Sequence, residues 1–141
     1  MNKPKKIGLA LSCIDYRLFD KTIEFLKNDC HVDAFDHTIL AGASLGYNQT
    51  KYDSWSTTFI EHVKLAIDLH KIQKIAVIDH DDCGAYKLFY PQLKHNPCCE
   101  RGHHIENIIK FITNMKLQFP HIMFSGYILH LDGVVEKIYK K

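Results

Sequence analysis

A chain of 141 residues, 46% hydrophobic and 24% charged, has the makings of one ordinary globular domain spanning 1–141, large enough to bury roughly 68–70% of its unfolded surface. A net charge of +2 gives no reason to expect nucleic acid as a partner; the basic clusters Lys3, Lys5, Lys6 and Lys137, Lys140, Lys141 read as solvated ends. No apolar run approaches the ~20 residues of a membrane span, the charged start runs into a strand-like stretch rather than a signal peptide, and five cysteines without a paired framework point to a reducing cytoplasm with free or metal-binding thiols.

Strand and helix patterns alternate along the chain. Lys6 to Cys13 reads as a first strand, and Leu18, Phe19, Thr22, Ile23 and Leu26 recur at helical spacing in a short helix that fades at Asn28-Asp29. Asp36 to Ala41 reads as a second strand, followed by the glycine-rich turn Gly42 to Gly46 and a polar loop. From Ser54 the positions Trp55, Phe59, Val63, Ala66, Ile67 and His70 trace one face of a long helix, which leads into the compact apolar strand Lys74 to Asp79 of buried parallel type. A short helix over Ala85 to Tyr90 and a loop over Pro91 to Gly102 come next. Ile105, Ile108, Ile109, Ile112 and Met115 then mark an amphipathic helix stopped before Pro120. Ile122 to Leu131 reads as a strand, Asp132-Gly133 as a hairpin turn, and Val134 to Tyr139 as the returning antiparallel strand. The pattern gives an α/β fold with a mixed five-stranded sheet, four strands parallel and one antiparallel at the edge.

Two motifs carry chemistry: Cys13-Ile14-Asp15-Tyr16-Arg17 and His80-Asp81-Asp82-Cys83-Gly84. Each follows an apolar, β-branched run, and so lies just beyond the carboxyl end of a strand, where open α/β sheets bind ligands. Together they offer two thiols and one imidazole, enough protein ligands for a catalytic Zn²⁺ that keeps its fourth position open.

Cys-x-Asp-x-Arg after a first strand and His-x-x-Cys-Gly after a third, with the intervening βαβ pattern and the final hairpin, resemble the β-class carbonic anhydrases over nearly the whole chain. The resemblance implies a parallel core in order 2-1-3-4 with an antiparallel edge strand and helices on both faces, assembled as a homodimer or larger homo-oligomer. It also implies Cys13, His80 and Cys83 as zinc ligands, Asp15 and Arg17 as the active-site pair, and interconversion of CO2 and bicarbonate by attack of zinc hydroxide. Asp15 would orient the attacking group, and Arg17 would hold Asp15 off the metal.

Three departures stand out. Ile39-Leu40-Ala41-Gly42-Ala43 replaces the family's Arg-Asn-Ala-Gly-Asn stretch, Tyr16 stands where serine is common, and no N-terminal helical arm precedes the first strand. Two alternatives therefore remain: a zinc-binding domain of regulatory or structural role without CO2 turnover, and a hydrolase of a CO2-like molecule such as carbonyl sulfide or carbon disulfide.

The remaining candidates are read blandly. Gly42-Ala43-Ser44-Leu45-Gly46 spells a nucleophile elbow, but Tyr47 to Asp53 looks like loop rather than helix, so the turn is expected to line the pocket floor. Cys98, Cys99, His103 and His104 are expected in a polar loop and helix start rather than at a second metal. Cys30 and His31 read as a helix end, and His62 and His70 as structural histidines. The apolar stretch Ile39 to Gly46 is expected to need cover from a partner subunit.

Overall fold

The computed structural model describes residues 3–29 and 31–140; Cys30, Lys141 and the Lys140 side chain lie outside that description. The strands are β1 (Ile7–Ser12), β2 (Ala34–Ile39), β3 (Lys74–His80), β4 (Met123–Leu129) and β5 (Val135–Lys140). The helices are α1 (Phe19–Lys27), α2 (Ser44–Asn48), α3 (Ser54–His70), α4 (Gly84–Phe89) and α5 (Glu100–Gln118), with single 3₁₀ turns at Tyr16–Leu18, Pro91–Lys94 and Pro97–Cys99.

One sheet runs in the order β2-β1-β3-β4-β5. The first three pairings are parallel and β4–β5 is antiparallel. Period-two alternation divides the central strands between the faces. Leu9 and Leu11 of β1, Ile75 and Val77 of β3, and Phe124 and Ile128 of β4 pack with Phe59 and Val63 of α3 and Ile108, Phe111 and Ile112 of α5. Ala10, Ala76, Ile78 and Leu129 face the other way, onto Leu18 and onto Leu26 of α1. β3 is buried at every position, as strands covered on both faces require. Its buried Lys74 is satisfied by a 2.6 Å ion pair with Asp29.

The element pattern read from the sequence holds, with differences at the joins. The stretch expected to be loop after Gly42 contains the short helix α2, which its own glycine and serine disfavour. Tertiary contacts hold it: Tyr47 sets its ring edge-on to Phe111 at 5.0 Å, and Asn48 donates to the Asn107 carbonyl at 2.9 Å. The hairpin turn is longer than two residues: the Gly133 N–H, at φ +92°, returns to the His130 carbonyl at 2.8 Å, and the Leu131 N–H inside the turn goes to Asp81 Oδ1 at 2.8 Å. Within the Ile39 to Gly46 segment, cover for Ala43, Ser44, Leu45 and Gly46 comes from the chain itself rather than from a partner, and all four are buried. The apolar side chains left exposed nearby are Ile14, Tyr16, Phe19 and Ile39.

Candidate metal centre

β1 and β3 are sheet neighbours in register Ser12↔Ile78. The residue after β1, Cys13, therefore meets the last residue of β3, His80, at one end of the sheet. Cys83 arrives from the head of α4, three residues on. The Sγ atoms of Cys13 and Cys83 lie 4.0 Å apart, and the donor atoms of all three residues fall within 4.8 Å of one another. Two sulfurs bound to one tetrahedral zinc at about 2.3 Å would stand about 3.8 Å apart. The donor set therefore fits zinc in both chemistry and spacing.

His80 fits for a second reason. Its Nδ1 lies 2.6 Å from the Asp81 carbonyl oxygen, which can only accept, so Nδ1 carries the proton and Nε2 keeps its lone pair. That Nε2 is buried and finds no hydrogen-bond partner among the described residues. An orphaned buried acceptor costs about 1–3 kcal/mol, and a metal in the cluster would satisfy it.

The two thiols differ in acidity. The Cys83 thiol, donating to Cys13, draws Cys13 down to about 4 against the opposing effect of burial, with help from His80 and the Gly42 N–H 3.3 Å away. Cys83 is correspondingly pushed up by Cys13 and by burial. Burial alone would lower His80, but the facing Cys13 sulfur outweighs it and raises the imidazole. Gly42 reaches Cys13 with φ +79°, and a Cβ there would press on Ala85 and Leu45 at 3.3 Å, so the turn is built for glycine.

Asp15 and Arg17 form the expected pair. Arg17 Nη2 meets Asp15 Oδ2 at 2.7 Å, Nε bridges both carboxylate oxygens at 3.1 and 3.2 Å, and the Arg17 backbone N–H adds a fourth bond at 2.9 Å. Those bonds hold the Asp15 carboxyl at about 2 despite burial. Its Oδ2 stands 3.7 Å from His80 Nε2, on the edge of the donor cluster. One residue not singled out from the sequence completes this array. Asp82 accepts Arg17 Nη1 at 3.0 Å through its carboxylate and Nη2 at 2.9 Å through its carbonyl, and pairs with Lys87 as well. It sits in plain view inside the second motif, but nothing in the motif's spacing says which way an acid in a turn will face.

A second group of side chains lies buried behind the cluster. Asp79 accepts Ser44 Oγ at 2.8 Å, the Tyr86 hydroxyl at 2.5 Å and His104 Nδ1 at 2.8 Å on Oδ2, and the Ser44 N–H at 3.1 Å on Oδ1. His104 Nε2 lies 2.9 Å from Glu100 Oε2, which also accepts the Cys83 N–H at 3.1 Å. Burial opposes a charge on His104, yet the bonds to Asp79 and Glu100 lift it to about 9, so both ring nitrogens donate. Ser44 is therefore a buried hydrogen-bond donor to Asp79 and no exposed nucleophile. Cys98 and Cys99 are exposed and join no metal-competent group among the described residues. His103 stacks on Tyr90 at 4.1 Å, and only His104 of that pair enters the core. His70 pairs with Asp36 at 2.7 Å, His62 bonds the Thr58 carbonyl at 2.9 Å, and His31 donates its N–H to Asp29 at 2.7 Å.

Comparison with known proteins agrees with this architecture. Residues 3–139 match the family described as "Putative carbonic anhydrase". Uncharacterized proteins of Rickettsia bellii and Rickettsia conorii are each 36% identical over 94% of this chain, covering 82% and 72% of their own lengths. Among solved structures, the β-carbonic anhydrase CafD of Aspergillus fumigatus superposes with a TM-score of 0.63 at 12% identity, covering 99% of this chain and 92% of that one. A tetrameric β-carbonic anhydrase of Sordaria macrospora gives 0.54 at 14% identity, covering 97% and 82%. At such identities the structures speak for the fold, and the family match speaks for descent. Taken together, a motif pair at adjacent strand ends and a match running almost end to end mean that this chain belongs to the carbonic anhydrase family so described, as a divergent member on the β-class fold.

Proposed function

We propose that the protein is a zinc-dependent carbonic anhydrase, interconverting CO2 and bicarbonate, with Cys13, His80 and Cys83 as the metal ligands and Asp15 and Arg17 as the active-site pair. The observation that carries this reading is the convergence of two sulfurs and an otherwise unpartnered His80 Nε2 beside a carboxylate fixed by arginine. Zinc held there would supply Lewis acidity, lowering the pKa of water in the position the protein leaves open. With two thiolates in the ligand set, that water would be less acidic than the ~7 of a three-histidine site.

The chain's own residues do the rest. Asp15, ionised at neutral pH, offers an acceptor at the edge of the donor cluster and so orients a proton-bearing nucleophile. Arg17 keeps that carboxylate anionic and turned in one direction, and Asp82 with Lys87 keeps Arg17 in place. A cavity of about 210 Å³ opens beside Cys13 and Asp15, walled by Ile14, Tyr16, Phe19 and Ile39. An apolar wall beside a charged floor suits a small substrate without a dipole. The same apolar ring, Tyr16 at 86% exposure, supports a homodimer or larger assembly covering this face. The Sordaria macrospora relative of this fold is a tetramer, and β2, paired on one side to β1, is an edge strand that a second copy would protect.

Stopped-flow CO2 hydration by zinc-loaded protein tests the activity, with carbonyl sulfide and carbon disulfide as parallel substrates. Turnover of CO2 that disappears in Cys13→Ser, His80→Ala and Cys83→Ser together with the metal supports the reading. Stoichiometric zinc without turnover of any of the three substrates would leave a metal-binding domain of regulatory or structural role. Cytoplasmic location is part of the proposal, resting on the free thiols of Cys13 and Cys83; among the described residues no helix is long and apolar enough to cross a membrane.

A further inference from the structure

Behind the metal cluster the buried polar residues form a closed circuit. Cys83 donates its backbone N–H to Glu100 Oε2 at 3.1 Å, and Glu100 is the first residue of α5, 17 positions later in the chain. The same oxygen receives His104 Nε2 at 2.9 Å from one helical turn further on. His104 then reaches Asp79 Oδ2 through Nδ1 at 2.8 Å, and Asp79 precedes His80 in β3. The path therefore leaves one proposed ligand, crosses α5 and returns to the residue beside another.

Asp79, Glu100 and His104 are exposed by only 1%, 5% and 1%. Removing such a set from water is costly, and apolar side chains of equal volume stabilise a core at least as well. Stability alone therefore does not account for charges placed here. The turn they brace contains Asp82 at φ +52°, a left-handed conformation that aspartate tolerates. Arg17 holds this turn from the open side through Asp82, and Glu100 holds it from the core side through Cys83.

We propose that Glu100, anchored by His104 and Asp79, is a positioning residue of the metal centre, fixing Cys83 at the reach required for a divalent cation. The proposal rests on the zinc reading above and concerns how tightly and in what geometry the ion is held, not which reaction follows. Groups that orient metal ligands from behind typically contribute 10–100-fold to affinity.

The test compares wild type, Glu100→Ala, Glu100→Gln and His104→Gln by two measurements, zinc affinity in competition with a chelator and the absorption spectrum of protein loaded with Co²⁺. The cobalt bands report sulfur ligation and geometry, which a merely space-filling role would not move. Glu100→Ala is expected to weaken zinc binding about 10–100-fold and to shift the thiolate-to-cobalt bands, while far-ultraviolet circular dichroism stays unchanged. Glu100→Gln, whose amide oxygen still accepts the Cys83 N–H, should recover most of the affinity. Wild-type affinity and an unaltered cobalt spectrum in Glu100→Ala would overturn the proposal, even if that variant melts earlier. Should Glu100→Ala fail to fold, His104→Gln decides: a loss of affinity with a shifted spectrum supports the role, and wild-type values overturn it. Wild-type protein that takes up neither ion would overturn the metal reading and this proposal together, an outcome distinct from failure of the variants alone.

Discussion

Arg17 touches both motifs, giving its Nε and Nη2 to Asp15 and its Nη1 to Asp82. Without the Arg17 side chain, Asp15 loses the three guanidinium bonds and keeps only the one from the backbone N–H of residue 17, while standing 3.7 Å from the His80 donor atom. In Arg17→Ala the carboxylate is expected to turn onto the metal and close the open position, cutting CO2 hydration by at least about 100-fold with zinc content intact. Zinc-edge X-ray absorption would show an added carboxylate oxygen; a variant hydrating CO2 at the wild-type rate would make the pair structural. A second outcome follows from His104, whose imidazolium lies between Asp79 and Glu100 against the Tyr86 ring. Its folded value, about 9, lies above the ordinary 6.5. The stabilisation is therefore complete below pH 6.5, falls on the order of 1 kcal/mol per pH unit through the window up to about 9, and is gone above it. Urea unfolding with chelator present, comparing wild type with His104→Gln, should show a gap that narrows across this window; a gap constant from pH 6 to 9.5 would refute the charge. The three donors and the Asp15–Arg17 pair were legible because each motif is local. The Glu100–His104–Asp79 circuit joins elements far apart in sequence, but one signal existed: Ile112 and Ile108, continued backward in steps of four, fall on His104 and Glu100, on the same face of α5.

At the scale of elements, β4 and α5 pack closely at Gly126. A Cβ built on Gly126 would stand 2.4 Å from Ile108 Cγ2 and 3.3 Å from Ile112 Cδ1, and the strand shifts register beside it at Gly126/Tyr127. Gly126→Ala would push back the helix that carries Glu100 and His104. A loss of about 1–3 kcal/mol is expected in denaturant unfolding, the range for overpacking a tight core; an unchanged midpoint would mean that α5 yields freely. The strand and helix alternation was readable from hydrophobic period alone. Its joins were not, because they are decided by distant partners. α5 begins at Glu100, within the stretch read as loop, since Glu100 and His104 find buried partners in β3 and at the head of α4. β4 ends at Leu129, and the turn closed by the Gly133 N–H on the His130 carbonyl leaves the Leu131 N–H to Asp81.

For the whole molecule, the order β2-β1-β3-β4-β5 is what turns two motifs into one centre. His80 and Cys83 are local to each other, whereas Cys13 and Cys83 are 70 residues apart. Joining them requires the parallel pairing of β1 with β3 across everything between, a closure whose entropy is lost before the contacts compensate. The timing of metal capture follows. Of the three proposed ligands, an unfolded chain keeps only His80 and Cys83 near each other, so tight capture at this site would wait until the central sheet has formed. Zinc should then leave the refolding rate almost unaltered and slow unfolding, by about tenfold for each 1.4 kcal/mol of binding free energy absent from the transition state. Folding and unfolding arms measured with zinc and with chelator would separate the two; acceleration of refolding by zinc would mean that the ion gathers the strands rather than arriving after them.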